Sequence, residues 1–200
     1  MRIGIQVKLV LLLAGIAVFT AVAQAQPATA STNHDRPELA FNYNFVRSNA
    51  PVGSCGCFNL NGGGATFAWP VRSGHLALVG DVSVTHAGNI SSSNYDLTLS
   101  AFTAGLRYTP HLGRAPLHPF GQILLGVAHA DGSLVEGTAS NTSNAGAAFV
   151  ANVGGGLDLR LTHHFSLRLV EADYLLTTFN NGDNDHQNNL RINTGVVLRF

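Results

Sequence analysis

Leu190-Arg-Ile-Asn-Thr-Gly-Val-Val-Leu-Arg-Phe200 is the stretch that decides the fold. Leu190, Ile192, Thr194, Val196, Leu198 and Phe200 share one side of a strand; Arg191, Asn193, Gly195, Val197 and Arg199 share the other. Alternation of this kind marks a strand between two different environments. About ten alternating residues is also the length of a tilted strand that crosses a bilayer. An exposed aromatic at its end, in a chain that opens on an export signal, points to an outer-membrane barrel rather than a soluble sheet.

The export signal is residues 1–25. Arg2 and Lys8 supply a positive start, Leu9 to Val22 an apolar stretch, and Ala23-Gln24-Ala25 a small-x-small cleavage site. Cleavage leaves Gln26 first, and residues 26–38, with two prolines, read as a loose periplasmic tail before a barrel over residues 39–200. Beyond the signal, the longest uninterrupted apolar run is about Ile123 to Ala128, far short of the roughly 20 residues of a membrane helix. Any crossing must be made by strands, and strands survive in hydrocarbon only when closure pairs every backbone group. Eleven basic and eleven acidic residues cancel, which gives no support for a nucleic-acid partner.

Eight strand-like segments fill the mature chain. The first is about Leu39 to Arg47, with Leu39, Phe41, Tyr43 and Phe45 opposite Ala40, Asn42 and Asn44. The second, Leu60 to Trp69, offers Ala65, Phe67 and Trp69 to the outside. The third, His75 to Thr85, sets Leu76, Leu78, Val82 and Val84 against Ala77, Asp81 and Ser83. In the fourth, Tyr95 to Tyr108, Phe102, Ala104, Leu106 and Tyr108 face outward, but Leu97 and Leu99 fall on the opposite phase. A bulge or a loop-borne extension is expected there. The fifth runs from Pro119 to Ala130 with weak alternation. The sixth, Ala147 to Leu161, is the clearest. In the seventh, from Phe165, strict alternation places Glu171 and Asp173 in lipid, an expensive position for a charge. A bulge near Val170–Glu171 is therefore expected to return both acids inward. The eighth strand is the one quoted.

The links alternate in length. Those at Ser48–Asn59, His86–Asn94, Asp131–Gly146 and Asn180–Asn189 are polar and rich in Gly, Ser and Asn; Pro70–Gly74, Thr109–His118 and Thr162–His164 are shorter on average. Such asymmetry fits short periplasmic turns and longer outer loops on an all-β, eight-stranded antiparallel up-and-down transmembrane barrel. The stretch Asn152-Val-Gly-Gly-Gly-Leu-Asp-Leu-Arg-Leu-Thr-His-His-Phe-Ser-Leu-Arg-Leu-Val-Glu-Ala-Asp-Tyr174, with the terminal Phe200, resembles the OmpA-like, opacity-type small outer-membrane barrels. The resemblance covers the barrel only and implies several things. The chain sits in the outer membrane of a Gram-negative-type envelope, among its lipids and lipopolysaccharide. Phe200 serves as the signal read by the barrel-assembly machinery. The protein is monomeric, with a structural or surface role.

Inward-facing ionisable residues are expected to be Asp81, Arg107, Asp158, Arg160, Arg168, Glu171, Asp173, Arg191 and Arg199, a near-balanced lumen charge network. An eight-stranded barrel is just wide enough for side chains to fill. The network therefore either plugs the lumen or lines a narrow, weakly conducting polar path, with the glycines of the sixth strand making room for the arginines. Cys55 and Cys57, separated by Gly56, are placed to close a small disulfide in an oxidising compartment, and two thiols are too few for a structural zinc site. No cofactor or metal is expected: His163 and His164 are adjacent in a turn, and His86, His129 and His186 read as solvated. Two other functions compete. A lipid A-modifying outer-membrane enzyme would use His129 with Ser133 and Glu136 at the outer rim; a soluble lipocalin-like barrel would carry apolar residues inside. Arg160, Arg168 and Arg191 facing inward support the membrane barrel over the soluble one.

Overall fold

A computed structural model describes residues 36–48, 58–71, 75–90, 95–110, 115–132, 146–179 and 186–200. Eight strands follow in order: β1 (Glu38–Ser48), β2 (Phe58–Pro70), β3 (Leu76–Ile90), β4 (Tyr95–Tyr108), β5 (Leu117–Gly132), β6 (Gly146–Arg160), β7 (Phe165–Thr177) and β8 (Gln187–Arg199). Each pairs antiparallel with the next, and β8 returns to β1, closing the barrel. Closure leaves no unpaired edge, the condition a strand must meet to lie in hydrocarbon. Strand β1 starts at Glu38, whose register partner across the closing seam is Arg199.

The two faces separate as the alternation predicts. Phe41, Tyr43, Leu78, Val82, Phe102, Leu106, Ile123, Leu125, Phe149 and Leu190 are exposed on the outer wall, while Asn42, Asn44, Asp81, Gln122, Asn152, Arg168 and Arg191 are buried within. An apolar exterior around a polar interior suits lipid outside, and it removes the soluble lipocalin-like alternative. On β3 the exposed apolar positions run from Leu76 to Val84, a nine-residue span close to the bilayer-crossing length.

Beyond that span the polarity inverts. Val46, Leu60, Ala87, Ile90, Leu99, Ala101, Ala128, Val150 and Leu175 form one buried apolar cluster inside the barrel. At the same level the outer wall turns polar: Arg47 reaches Asn59, the Tyr43 hydroxyl donates to Asn61, and His86 meets Thr98. Here the barrel is built like a soluble one, apolar within and polar without, so the strands project past the lipid. This explains the misphased leucines of β4. Of the two expectations for Leu97 and Leu99, the bulge in β4 is absent and the extension is present: β4 stays in register with β5 from Leu97 to Tyr108. The backbone alternation holds and the environment changes sign. The irregularity falls instead on β3, between Ala87 and Ile90, where Asn89 adopts a positive φ of 57°, a conformation asparagine tolerates better than most residues.

The bulge on β7 lies close to its expected place. Pairing with β8 shifts between Arg168 and Glu171, so Leu169 and Val170 both face out. The one-residue slip returns Glu171 and Asp173 to the interior. The glycines of β6 make room for different neighbours than the arginines expected. A Cβ on Gly154 would overlap the Asp173 carboxylate, and one on Gly156 would lie 2.7 Å from Cζ of Phe120.

Candidate functional site

Inside the membrane-spanning part, the strands deliver charged side chains to one connected cluster. Arg191 of β8 reaches across the lumen: its Nη1 is 2.8 Å from Oδ1 of Asp81 on β3, and its Nη2 2.9 Å from Oδ2 of Asp173 on β7. The same Nη2 lies 3.5 Å from Oε1 of Glu171. Arg168 donates to both carboxylate oxygens of Asp158, at 2.9 and 3.3 Å, and to Oε2 of Glu171 at 2.7 Å. Glu171 is the hub, since Asn193 and Gln122 also donate to its Oε1, at 2.7 and 3.1 Å. Gln122 in turn accepts two bonds from Arg107. Thr66 donates to Asp81, and Asn42 donates to Thr66. The result ties β1, β2, β3, β4, β5, β6, β7 and β8 together through side chains, in addition to the ladder.

Such density follows from the cost of the charges. A buried ion is tolerated only when partners and hydrogen bonds satisfy it on several sides. Arg168 has no solvent exposure, and Glu171 and Asp173 have 1% each. The guanidinium groups of Arg107 and Arg168 both lie over the ring of Phe120, 4.3 and 4.6 Å from its centre. Cations over an aromatic face gain from the ring quadrupole, more so when desolvated.

Of the nine ionisable positions read from the sequence, Asp81, Asp158, Arg168, Glu171, Asp173 and Arg191 share this network directly, and Arg107 joins it through Gln122. Arg199 sits lower, bonded to Glu38 at 2.7 Å and to Ser166. Arg160 is only partly buried and lines the mouth of the barrel instead. Sequence reasoning missed Glu38, which also lies 3.9 Å from Arg107. The signal was present: Glu38 is in phase with Ala40, Asn42 and Asn44, and adding it brings five acids against five bases. It also missed Gln122, Asn193 and His118, which are buried in the lumen but escape a search for formal charge.

Other candidates are placed apart. His129 Nε2 is 3.2 Å from Oδ1 of Asp131 on the outer wall; Ser133 and Glu136, its proposed catalytic partners, lie outside the described residues. Cys55 and Cys57, and the signal at residues 1–25, lie outside them as well. His163 and His164 are exposed in the turn before β7, with His164 Nδ1 3.0 Å from the Arg199 carbonyl. Phe200 is exposed at the barrel rim, its N–H bonded to the Pro37 carbonyl. Among the described residues, no group of three or more His, Cys, Asp or Glu side chains is disposed to hold a metal ion.

Solved structures share this architecture. Neisserial surface protein A aligns with a TM-score of 0.63 at 13% identity, over 86% of this chain and 100% of that one. The attachment invasion locus protein Ail of Yersinia pestis aligns at 0.52 with 15% identity, over 82% and 97%. At such identities the likeness concerns the fold. A comparison with curated protein sequences finds no match. The model of the outer membrane protein beta-barrel domain matches residues 12–200. The chain therefore belongs to the outer membrane protein beta-barrel domain family, and it is an integral protein of the bacterial outer membrane.

Proposed function

We propose that this barrel is a sealed structural protein of the envelope whose outward loops provide a contact surface, and that it neither conducts appreciably nor catalyses a reaction. The observation that carries this reading is the filling of the lumen at two successive levels. Within the membrane the ion network spans the bore from β8 to β3. Above it the cluster around Leu99, Val150 and Leu175 forms an apolar layer. An ion entering the bore would have to break multiply bonded, desolvated pairs and then cross a mainly apolar layer whose buried polar side chains, Ser48, Thr85 and Asn189, are already hydrogen-bonded. Each step is expensive. The three longest links, residues 49–57, 133–145 and 178–186, join strands at the end carrying the apolar layer. That end faces outward in barrels of this class.

The test is single-channel recording of the refolded chain in planar bilayers. The expected result is no resolvable step above the bare membrane. Regular open levels in the wild-type protein, absent when refolding is omitted, would replace this reading with that of a narrow pore.

A further inference from the structure

The periplasmic mouth holds more cationic side chain than its own acids can satisfy. A cavity of about 40 Å³ opens there, lined by Arg36, Glu38, Arg107, Asp158, Arg160 and Arg199 among others. The two acids are already engaged. Glu38 accepts from Arg199 at 2.7 Å, and both oxygens of Asp158 are taken by Arg168, which lies deeper. Arg107 bonds to Gln122 through Nε and Nη2, leaving Nη1 with only the 3.9 Å approach to Glu38. Nη1 of Arg36 and Nε of Arg160 are enclosed and have no hydrogen-bond partner. Buried donors without partners are rare, and each one needs an explanation such as water or an ion.

Water could satisfy the two orphaned N–H groups, but it would leave the excess positive charge uncompensated. A single oxyanion does both. Carboxylate and phosphate oxygens match the planar donor fork of a guanidinium. The volume is compatible with the same choice: the cavity has room for several water-sized spheres, enough for one carboxylate or phosphate head. The cavity opens at the periplasmic rim, so the rest of a larger ligand could remain outside.

We infer that this pocket is an oxyanion-binding site that takes one carboxylate or phosphate group from the periplasmic side, with Arg36 and Arg160 as the principal donors. The site is independent of whether the lumen conducts, because the ligand enters and leaves at one end. It is tested on the full refolded chain in uncharged detergent by following the arginine Nε–Hε resonances. Inorganic phosphate and acetate are titrated separately, against sodium chloride at equal ionic strength. Saturable shifts of Arg160 with phosphate alone identify a phosphate site; with acetate alone, a carboxylate site; with both, a site for either head group. The variants Arg160→Gln and Arg36→Gln are each expected to weaken binding about tenfold, the loss of one charge-assisted bond. Arg47→Gln, at the opposite end, leaves binding unchanged. Arg36 precedes β1, so its variant remains informative if Arg160→Gln fails to fold. Shifts that follow chloride without saturating, or an equal loss in Arg47→Gln, overturn the assignment.

Discussion

Replacing Arg191 by Met tests the lumen network at its most connected cation. The side chain is 2% exposed and forms ion pairs with Asp81, Asp173 and Glu171. Two unit charges about 4 Å apart interact by about 4 kcal/mol in a medium of effective dielectric about 20. Most of that gain is offset in the wild type by desolvating the guanidinium and by the mutual repulsion of Glu171 and Asp173. The variant keeps the repulsion and loses the compensation. Glu171 retains Arg168 and Asn193, but Asp81 and Asp173 each lose the one ion-pair partner they have among the described residues and keep only hydrogen bonds, from Thr66 and Gln122. Removing one member of a buried charge cluster typically costs about 3–5 kcal/mol, and that is the expected loss here. The double variant Arg191→Met, Asp81→Asn restores the charge balance and is expected to recover a substantial part. Denaturant unfolding in lipid vesicles, followed through the single tryptophan, Trp69 near the periplasmic rim, gives the free energies. A single variant within about 1 kcal/mol of wild type, the range of an exposed pair, would refute the claim that the network holds the barrel together. So would a double variant no more stable than the single one.

Leu99→Ala leaves a cavity in the outer apolar layer and should cost about 2–5 kcal/mol by the same unfolding assay; a loss below about 0.5 kcal/mol, the range of an exposed surface change, would mean that the layer is not packed. Gly156→Ala drives a methyl toward the Phe120 ring and the Val170 carbonyl, with an expected loss of about 1–3 kcal/mol. Adding Phe120→Leu should relieve only the side-chain part of that clash. Deleting Val170 removes the extra residue of the bulge and leaves a strict alternation in which Arg168, Glu171 and Asp173 still face inward, so the heat-modifiable folded band on gels should persist; its loss would mean that the bulge itself is required. Phe200→Ser alters an exposed side chain, so stability in vitro should shift by no more than about 0.5 kcal/mol. Assembly in cells should slow if the terminal aromatic is the assembly signal.

How much of this was legible in the sequence depends on which physical rule governed each position. A two-residue period is a property of the backbone, so Phe41, Leu78, Ile123 and Asp81 could be assigned to a face from spacing alone. The bulge on β7 was legible for the same reason: two acids out of phase are costly enough in lipid that the chain must slip, and one slip corrects both. Leu99 was left between two readings, a bulge and an extension, because its signal has two possible causes. A reversal of apolar phase arises either when the backbone slips or when the surroundings exchange sides, and the sequence records only the reversal. Nothing local to β4 distinguishes them. What distinguishes them is that Val46, Leu60, Ala128 and Val150, on four other strands, reach the same level, and that register exists only after closure. The glycines of β6 show the same limit. Their spacing marks a crowded interior, but the occupants, Phe120 from β5 and Asp173 from β7, are fixed by pairing. Glu38 is the instructive contrast, because its phase was plain and only the assumed start of β1 concealed it. An alternation should therefore be extended in both directions until a residue breaks it, and a break should be tested against the levels of neighbouring strands before a bulge is invoked. By that procedure Glu38 joins the lumen charges from residues alone, whereas Leu99 joins the apolar layer, and the boundary where the barrel leaves the lipid is placed, only once the strand register is known.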